Sequence, residues 1–204
     1  MVHEQRQLTG QSVIQRGLQI LGCFLNRLAV FNRAGVFVVV AIGFTWSAAA
    51  QEVTATIKHE AEQCAGALLS NDYDGMIRYT HPRIIVKLGG NAAMIETLKR
   101  GMAQMAAEGA DFLEISIGQP GSPQPSGTWL TSIVPEHLVM RVPGGKLESD
   151  SYLLGISEDQ GKHWWFIDLG SVAKEQLDQV FPELSGQVAI PERKRPVFKK
   201  DGEK

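Results

Sequence analysis

The chain has 204 residues, of which 44% are apolar and 21% are charged, and its formal net charge is −2. These values are typical of a globular protein and exclude wholesale disorder and fibrous repeats. A net charge so close to zero also argues against a dedicated nucleic-acid binder, which normally carries a strong basic excess. The two cysteines, Cys23 and Cys64, are too few for a disulfide scaffold or a cysteine-rich zinc module.

An uncharged run from Ala34 to Ala50 predicts a secretory signal. It follows Arg33 and ends in three alanines, which suit a signal peptidase. As a helix the run would span about 25 Å, less than the roughly 30 Å of a hydrocarbon core. We therefore expect cleavage after Ala50, with a long basic segment over residues 1–33 ahead of the run. Two alternatives stay open: an uncleaved membrane anchor over 34–50, or a lipid attached at Cys23.

Removal of residues 1–50 leaves 16 basic and 21 acidic residues, so the mature chain has a net charge of −5. This mild acidity favours solubility and disfavours binding to polyanions. The mature chain keeps one cysteine, Cys64, on the apolar stripe of a helix, and we expect it to serve core packing. There is no phosphate-binding loop, dinucleotide fingerprint or nucleophile elbow, and the His59-Glu60 pair lacks the second histidine of a zinc helix. We expect no cofactor and no metal.

The mature sequence predicts helices first and strands after them. Apolar residues recur every three or four positions over 53–69 and from Asn91 to Gly109, which predicts two amphipathic helices. A short helix is expected over 72–79, and residues 84–86 fit either a strand or a helical turn. Strands are expected near 111–118, 128–142, 146–157 and 163–169, and a last helix over 171–180. The organisation is therefore one α+β domain over 51–185, followed by a mobile basic tail over 186–204.

Gly144-Gly145 fits a two-residue hairpin turn between two long strands. Counting from this turn pairs Arg141 with Glu148 and His137 with Tyr152, and it makes Asp150 a diagonal neighbour of His137. One face of the hairpin then gathers His137, Arg141, Glu148, Asp150 and Tyr152. On this face His137 could act as a general base oriented by Asp150, with Tyr152 as a donor. The alternative is a solvated outer face with ordinary cross-strand pairs.

Both faces of the last predicted strand are largely apolar. The alternating sets are Trp164, Phe166 and Asp168 on one face and Trp165, Ile167 and Leu169 on the other. A strand that is covered on both faces needs a neighbour on each side. Since a second subunit is the simplest source of one cover, we predict a homodimer through the sheet face.

Three short segments resemble a known superfamily. Asn71-Asp72-Tyr73-Asp74 and Tyr79-Thr80-His81-Pro82 are similar to its second-helix region, and Trp164-x-Phe166-x-Asp168 is similar to its final strand. Together with three helices followed by a long-stranded antiparallel sheet, residues 52–170 resemble the nuclear-transport-factor-like superfamily of cystatin-like α+β cones. That superfamily includes polyketide-cyclase-like and steroid-isomerase-like members.

The resemblance implies an α+β fold with N-terminal helices packed on a strongly curved antiparallel sheet and a pocket between them. The ligand-binding residues it implies are Tyr79, His81, Trp164, Phe166 and Asp168. Members of the superfamily serve as enzymes, binding modules and dimer scaffolds, so the fold does not decide the function. For the acid or His–Asp pair of the enzyme members, only His81 and Asp168 could stand in.

We therefore expect a secreted or periplasmic single-domain protein that binds a small apolar ligand or a partner protein without catalysis. The alternative is a cone-type lyase or isomerase that uses His81 or Asp168 for proton transfer. A structural partner of an envelope assembly is a third reading. No nucleic-acid partner is expected, and no stable membrane insertion once the signal is cleaved.

Overall fold

The structure, a computed structural model, describes residues 45–192 and 194–202, with side chains from residue 50 onward. Most of the predicted signal and the alternative lipid site at Cys23 lie outside the described residues. Among the helices that are described, none combines the length and the apolar character needed to cross a bilayer. The elements are α1 (Thr45–Leu69), α2 (Tyr73–Arg78), α3 (Pro82–Lys87), α4 (Asn91–Ala107), β1 (Asp111–Ile117), β2 (Gln124–Ser126), β3 (Trp129–Val142), β4 (Gly145–Ser157), β5 (Trp165–Asp168), α5 (Lys174–Val180), a 3-10 turn (Pro182–Leu184) and β6 (Val197–Lys200).

The fold is α+β, as predicted, with helices packed on a strongly curled antiparallel sheet. The strand order is β1–β3–β4–β5, with β2 beside β3 and β6 beside β4. The ambiguous segment over 84–86 belongs to helix α3. Pro82 opens this helix, where a missing N–H costs nothing, and His81 caps it by accepting a hydrogen bond from the Arg83 N–H at 3.1 Å.

Helix α1 packs its apolar stripe on one face of the sheet, which we call the helix face. Ile57 and Ala61 of the stripe are fully buried and form a core cluster with Val134, Trp164 and Phe166. These side chains are close-packed and apolar, so they supply the main hydrophobic stabilisation on this side of the sheet.

Glu60 fastens α1 to the start of β5. Its carboxylate accepts a hydrogen bond from the Trp164 N–H at 2.7 Å and lies 3.1 Å from Nδ1 of His163. One turn further along α1, Cys64 packs beside the core, as predicted from the stripe. Burial, with a smaller effect from Glu136, raises the pKa of its thiol to about 12, so Cys64 stays protonated.

The opposite face of the sheet, the outer face, is covered at one end by the C-terminal helix. Leu177 of α5 and the following Phe181 pack with Leu154 and Ile167 of the sheet in a second core cluster. The two-sided burial predicted for the last strand is confirmed, because Phe166 belongs to the first cluster and Ile167 to the second. The cover on the outer face comes from this chain itself. The observation that suggested a second subunit therefore does not require one, and the homodimer stays a prediction.

The hairpin between β3 and β4 turns at Pro143-Gly144, one residue earlier than predicted. Val142 pairs with Gly145, so the ladder is displaced by two residues, and Arg141 lies opposite Lys146 instead of Glu148. Gly144 has a φ of 83°, and a proline followed by a residue of positive φ is the combination that a type II turn requires. A displacement of two residues keeps every side chain on its predicted face but changes every direct pair.

Part of the segment predicted as a mobile tail forms strand β6. This strand pairs antiparallel with the first residues of β4, with Lys200 opposite Gly145 and Val197 opposite Glu148. Nζ of Lys199 lies 2.7 Å from a carboxylate oxygen of Glu148. Gly145 is needed in this pairing because a Cβ at position 145 would collide with the main chain of Lys199. The basic residues of this segment are therefore partly neutralised by an acidic strand, a pairing that their composition alone does not reveal.

Candidate functional site

A cavity of about 340 Å³ lies on the outer face of the sheet, and we call it the outer-face cavity. It is built from strands β1, β3 and β4 and from the segment that precedes β6. Its lining residues are Ser116, Ile117, Gly118, Pro135, Glu136, His137, Asp150, Ser151, Tyr152 and Lys194.

The register of the sheet explains why polar side chains converge there. Ser116 of β1 pairs with His137 of β3, which pairs in turn with Asp150 of β4, so the three residues form one row across three strands. Neighbouring rows point to opposite faces of a sheet. The next row, which contains Glu136 and Ser151, therefore directs its side chains toward the helix face, although both residues border the cavity.

Asp150 is held by two basic side chains. Its Oδ1 lies 2.8 Å from Nδ1 of His137, and its Oδ2 accepts a hydrogen bond from Nζ of Lys194 at 3.0 Å. These hydrogen bonds lower the pKa of Asp150, and the bond to Asp150 raises the pKa of Lys194. When the imidazole of His137 carries its proton on Nδ1, it donates that proton to Asp150, and Nε2 of the ring is then an acceptor for a ligand.

Two hydroxyl groups complete the site. Within residues 50–192 and 194–202, the hydroxyls of Ser116 and Tyr152 make no hydrogen bond to the protein, and both residues line the cavity. A concave site with a few convergent polar groups is the usual pattern of a small-molecule site. In the same described part of the chain, no group of three His, Cys, Asp or Glu side chains is placed to hold a metal ion.

Of the five residues predicted as a polar cluster, three line the cavity and two do not. The three are His137, Asp150 and Tyr152. Asp150 lies directly opposite His137 and not diagonal to it, because of the displaced register. Arg141 is exposed on the same face opposite Lys146, and Glu148 is ion-paired with Lys199.

The residues that the resemblance implied for ligand binding are mostly core. Tyr79, His81, Trp164 and Phe166 are only 8%, 2%, 0% and 6% exposed. Tyr79, Trp164 and Phe166 pack together beneath α1, so side chains occupy the space in which a ligand was expected. Asp168 is exposed, and its carboxylate accepts hydrogen bonds from the Ser151 hydroxyl at 3.2 Å and from the Gly170 N–H at 2.7 Å.

The structure does not bring the alternative catalytic residues His81 and Asp168 together. Asp168 follows Phe166 by two residues and therefore lies on the helix face. His81 instead packs against Phe181 of the second core cluster, on the outer face. Nε2 of His81 lies 3.2 Å from Glu158, and burial lowers the pKa of His81 despite the opposing effect of that carboxylate. The rings of Trp129, Trp165 and Phe181 surround it, with centroids at 6.0, 5.0 and 4.8 Å.

Sequence reasoning missed Glu136. This residue lies opposite Ser151 on the helix face of β3, at a position that alternation assigns to the same face as Val134 and Leu138. Burial, with a smaller effect from Asp168, raises the pKa of Glu136 to about 7. The signal was present in the sequence, because an acidic residue at an inward position between two apolar ones is unusual.

Comparisons with known proteins give little beyond this geometry. No protein-family model matches the chain, and no curated protein matches it. Among solved structures, the chain is similar to an M. tuberculosis LEH-like epoxide hydrolase, with 13% identity and a TM-score of 0.36. That match covers 66% of this chain and 96% of the other. Because the identity and the TM-score are so low, this match gives no information about activity. The candidate site is inferred from the residues described above alone.

Proposed function

We propose that this chain is a binding module that holds a small polar molecule in the outer-face cavity without catalysing a reaction. One observation carries the proposal: Ser116, His137 and Asp150 form a single row, with Tyr152 beside it, around one cavity of about 340 Å³. In the space beneath α1, where the resemblance implied a ligand, core side chains pack together instead.

The groups of the cavity suit a hydroxyl- or amine-bearing molecule. Nε2 of His137 accepts a hydrogen bond from the ligand, and the hydroxyls of Ser116 and Tyr152 either donate or accept. Asp150 fixes the orientation of the imidazole through the 2.8 Å contact with Nδ1. The binding geometry is thus present before a ligand arrives, which reduces the entropy lost on binding.

The test is a titration of the isotopically labelled chain with a polyol, a hydroxy acid and an alkylamine, followed by NMR. We expect at least one probe to shift the resonances of Ser116, His137 and Tyr152 selectively. His137→Ala should weaken that binding about tenfold or more, whereas His59→Ala, which removes an exposed histidine of α1, should leave it unchanged. Unchanged affinity in a stably folded His137→Ala variant would refute the proposal.

A second candidate, proton transfer by a cone-type lyase or isomerase, is favoured by Glu136. A half-buried carboxyl whose pKa is raised to about 7 can take up and release a proton near neutral pH, and Asp168 lies close enough to affect it. Deuterium exchange next to the carbonyl of small ketones, followed by NMR, tests this function. Exchange that is catalysed by the chain and lost in Glu136→Gln would favour the enzyme over the binding module.

We further propose that the chain is exported and cleaved after Ala50. Helix α1 begins at Thr45, so cleavage after Ala50 would remove its first six residues and keep the stripe from Val53 to Cys64 that packs in the core. The mass and N-terminal sequence of the chain recovered from its native host test this proposal. An N-terminus upstream of residue 45 would contradict it and favour the uncleaved anchor.

A further inference from the structure

We propose that the outer-face cavity takes a small organic cation, an alkylammonium, and that Lys194 occupies the place of that cation until the ligand arrives. This inference rests on the proposed binding function and names the chemical class of the ligand. It is carried by the contact between the Lys194 ammonium and Asp150 and by the other groups that line the cavity.

The pairing of β6 with β4 places Lys194, which precedes β6, beside the cavity. Val197, the first residue of β6, pairs with Glu148, and Lys194 precedes it by three residues. Lys194 lies alongside Asp150, and its Nζ donates to Oδ2 at 3.0 Å. A lysine 44 residues away in the sequence thus becomes part of the lining.

The other residues that line the cavity indicate which class of ligand would take the place of the Lys194 ammonium. Within residues 50–192 and 194–202, Lys194 is the only Lys or Arg residue that lines the cavity, and without it the ionised group of this row is Asp150. Its neighbours are the imidazole of His137 and the hydroxyl oxygens of Ser116 and Tyr152. Carboxylate, imidazole and hydroxyl acceptors around one cavity solvate an ammonium group, whereas an anion would have to approach Asp150 directly.

The Lys194–Asp150 pair is also exposed enough to be exchanged. The two side chains are 65% and 47% exposed, and such surface ion pairs contribute little because water and salt screen them. An external ammonium replaces one hydrogen-bonded cation with another, so the exchange leaves Asp150 paired. The tethered ammonium competes with an effective concentration in the millimolar range or above. Removal of its charge should therefore tighten amine binding by about tenfold.

The experiment titrates the full chain by NMR with n-butylamine, n-butanol and butyrate. The three probes have the same chain length and differ in charge. The variants are Lys194→Met, Asp150→Asn and the matched control Lys199→Met, which deletes the same charge from a lysine that pairs with Glu148 outside the cavity. Circular dichroism and thermal unfolding of each variant establish that it is folded.

We expect n-butylamine to bind about tenfold more tightly to Lys194→Met than to the native chain. Its affinity should be unchanged in Lys199→Met and lost in Asp150→Asn, and butyrate should not bind. An amine affinity that is equal or weaker in Lys194→Met overturns the inference. Butyrate binding that depends on Lys194 also overturns it, since Lys194 would then be an anion receptor.

The two proposals fail in different ways. If a neutral or hydroxylated probe binds at the cavity through His137 while Lys194→Met has no effect on the amine, only the cation assignment is refuted. If no probe of any charge shifts the cavity resonances in the native chain or in Lys194→Met, the proposed binding function is refuted as well.

Discussion

Phe181→Ala tests whether the C-terminal segment is an integral part of the core. Phe181 follows α5, is 1% exposed and closes the outer face over β5. Its ring meets that of His81 edge-on, with 4.8 Å between centroids, and that of Trp129 at 6.1 Å. Truncation removes the aromatic ring from a site whose neighbours are held elsewhere, His81 by its role as a helix cap and Trp129 by strand β3.

Because those neighbours cannot collapse into the space, the cost should be that of a poorly relaxed core truncation. Phenylalanine-to-alanine changes of this kind cost about 3–5 kcal/mol. For a domain of this size each kcal/mol lowers the melting temperature by about 2–4 °C, so the expected fall is roughly 6–20 °C. Urea unfolding followed by circular dichroism measures the free energy of unfolding, and a thermal melt measures the midpoint.

Phe198→Ala is the matched control, because it makes the same chemical change on β6 at a side chain that is 53% exposed. It should cost less than about 1 kcal/mol. If Phe181→Ala costs no more than Phe198→Ala, the C-terminal segment does not cover the outer face as described. In that case the two-sided burial of β5 would again call for a second subunit, which light scattering of the native chain at micromolar concentration would detect.

Three further predictions concern polar groups. Glu60→Gln should lower the free energy of unfolding by about 1–3 kcal/mol, because Glu60 accepts a charge-assisted hydrogen bond from the Trp164 N–H. Urea unfolding measures this cost, and a value below about 0.5 kcal/mol would contradict that role of Glu60. Burial lowers the pKa of His81, so native stability should fall as the pH drops below about 6.5, the ordinary histidine value. His81→Asn keeps a capping acceptor and should show a smaller fall between pH 7 and pH 5 in parallel unfolding curves; equal falls would exclude His81 as the cause. Burial raises the pKa of Glu136 from 4.5 to about 7, so the stability that its protonated form contributes should be lost as the pH rises through that interval. Glu136→Gln should therefore be more stable than the native chain at pH 8, by at most about 3 kcal/mol. The gain in stability should vanish below pH 4.5. A gain that persists at pH 4 would show that it does not come from the ionisation of Glu136.

Much of the fold follows from local pattern. The switch from a helical period to a period of two placed the three longest strands within two residues of their observed bounds, because side chains on a half-buried strand must alternate. The same alternation gave the correct faces for Trp164, Phe166 and Ile167. It also placed His137 and Asp150 on one face, and a register displaced by two residues did not alter that result.

The candidate site was only partly predictable, because alternation fixes the face of a side chain but not the residue that lies opposite it. A hairpin count can place His137 near Asp150, but the exact pairing depends on which two residues form the turn, and Pro143-Gly144 was not the obvious choice. Lys194 had no local signal at all. Its contact with Asp150 joins positions 44 residues apart, and only the pairing of β6 with β4 brings them together.

The sequence by itself thus determined the order of the longer helices and strands, the faces of the strands and the polar row that begins the candidate site. Tertiary structure decided what covers each face. It placed α5 and Phe181 on the outer face where a second subunit was expected, and it filled the space beneath α1 with Tyr79, Trp164 and Phe166. The physical reason is that periodicity reports which side chains leave water, whereas the identity of their neighbours depends on the long-range packing of the whole chain.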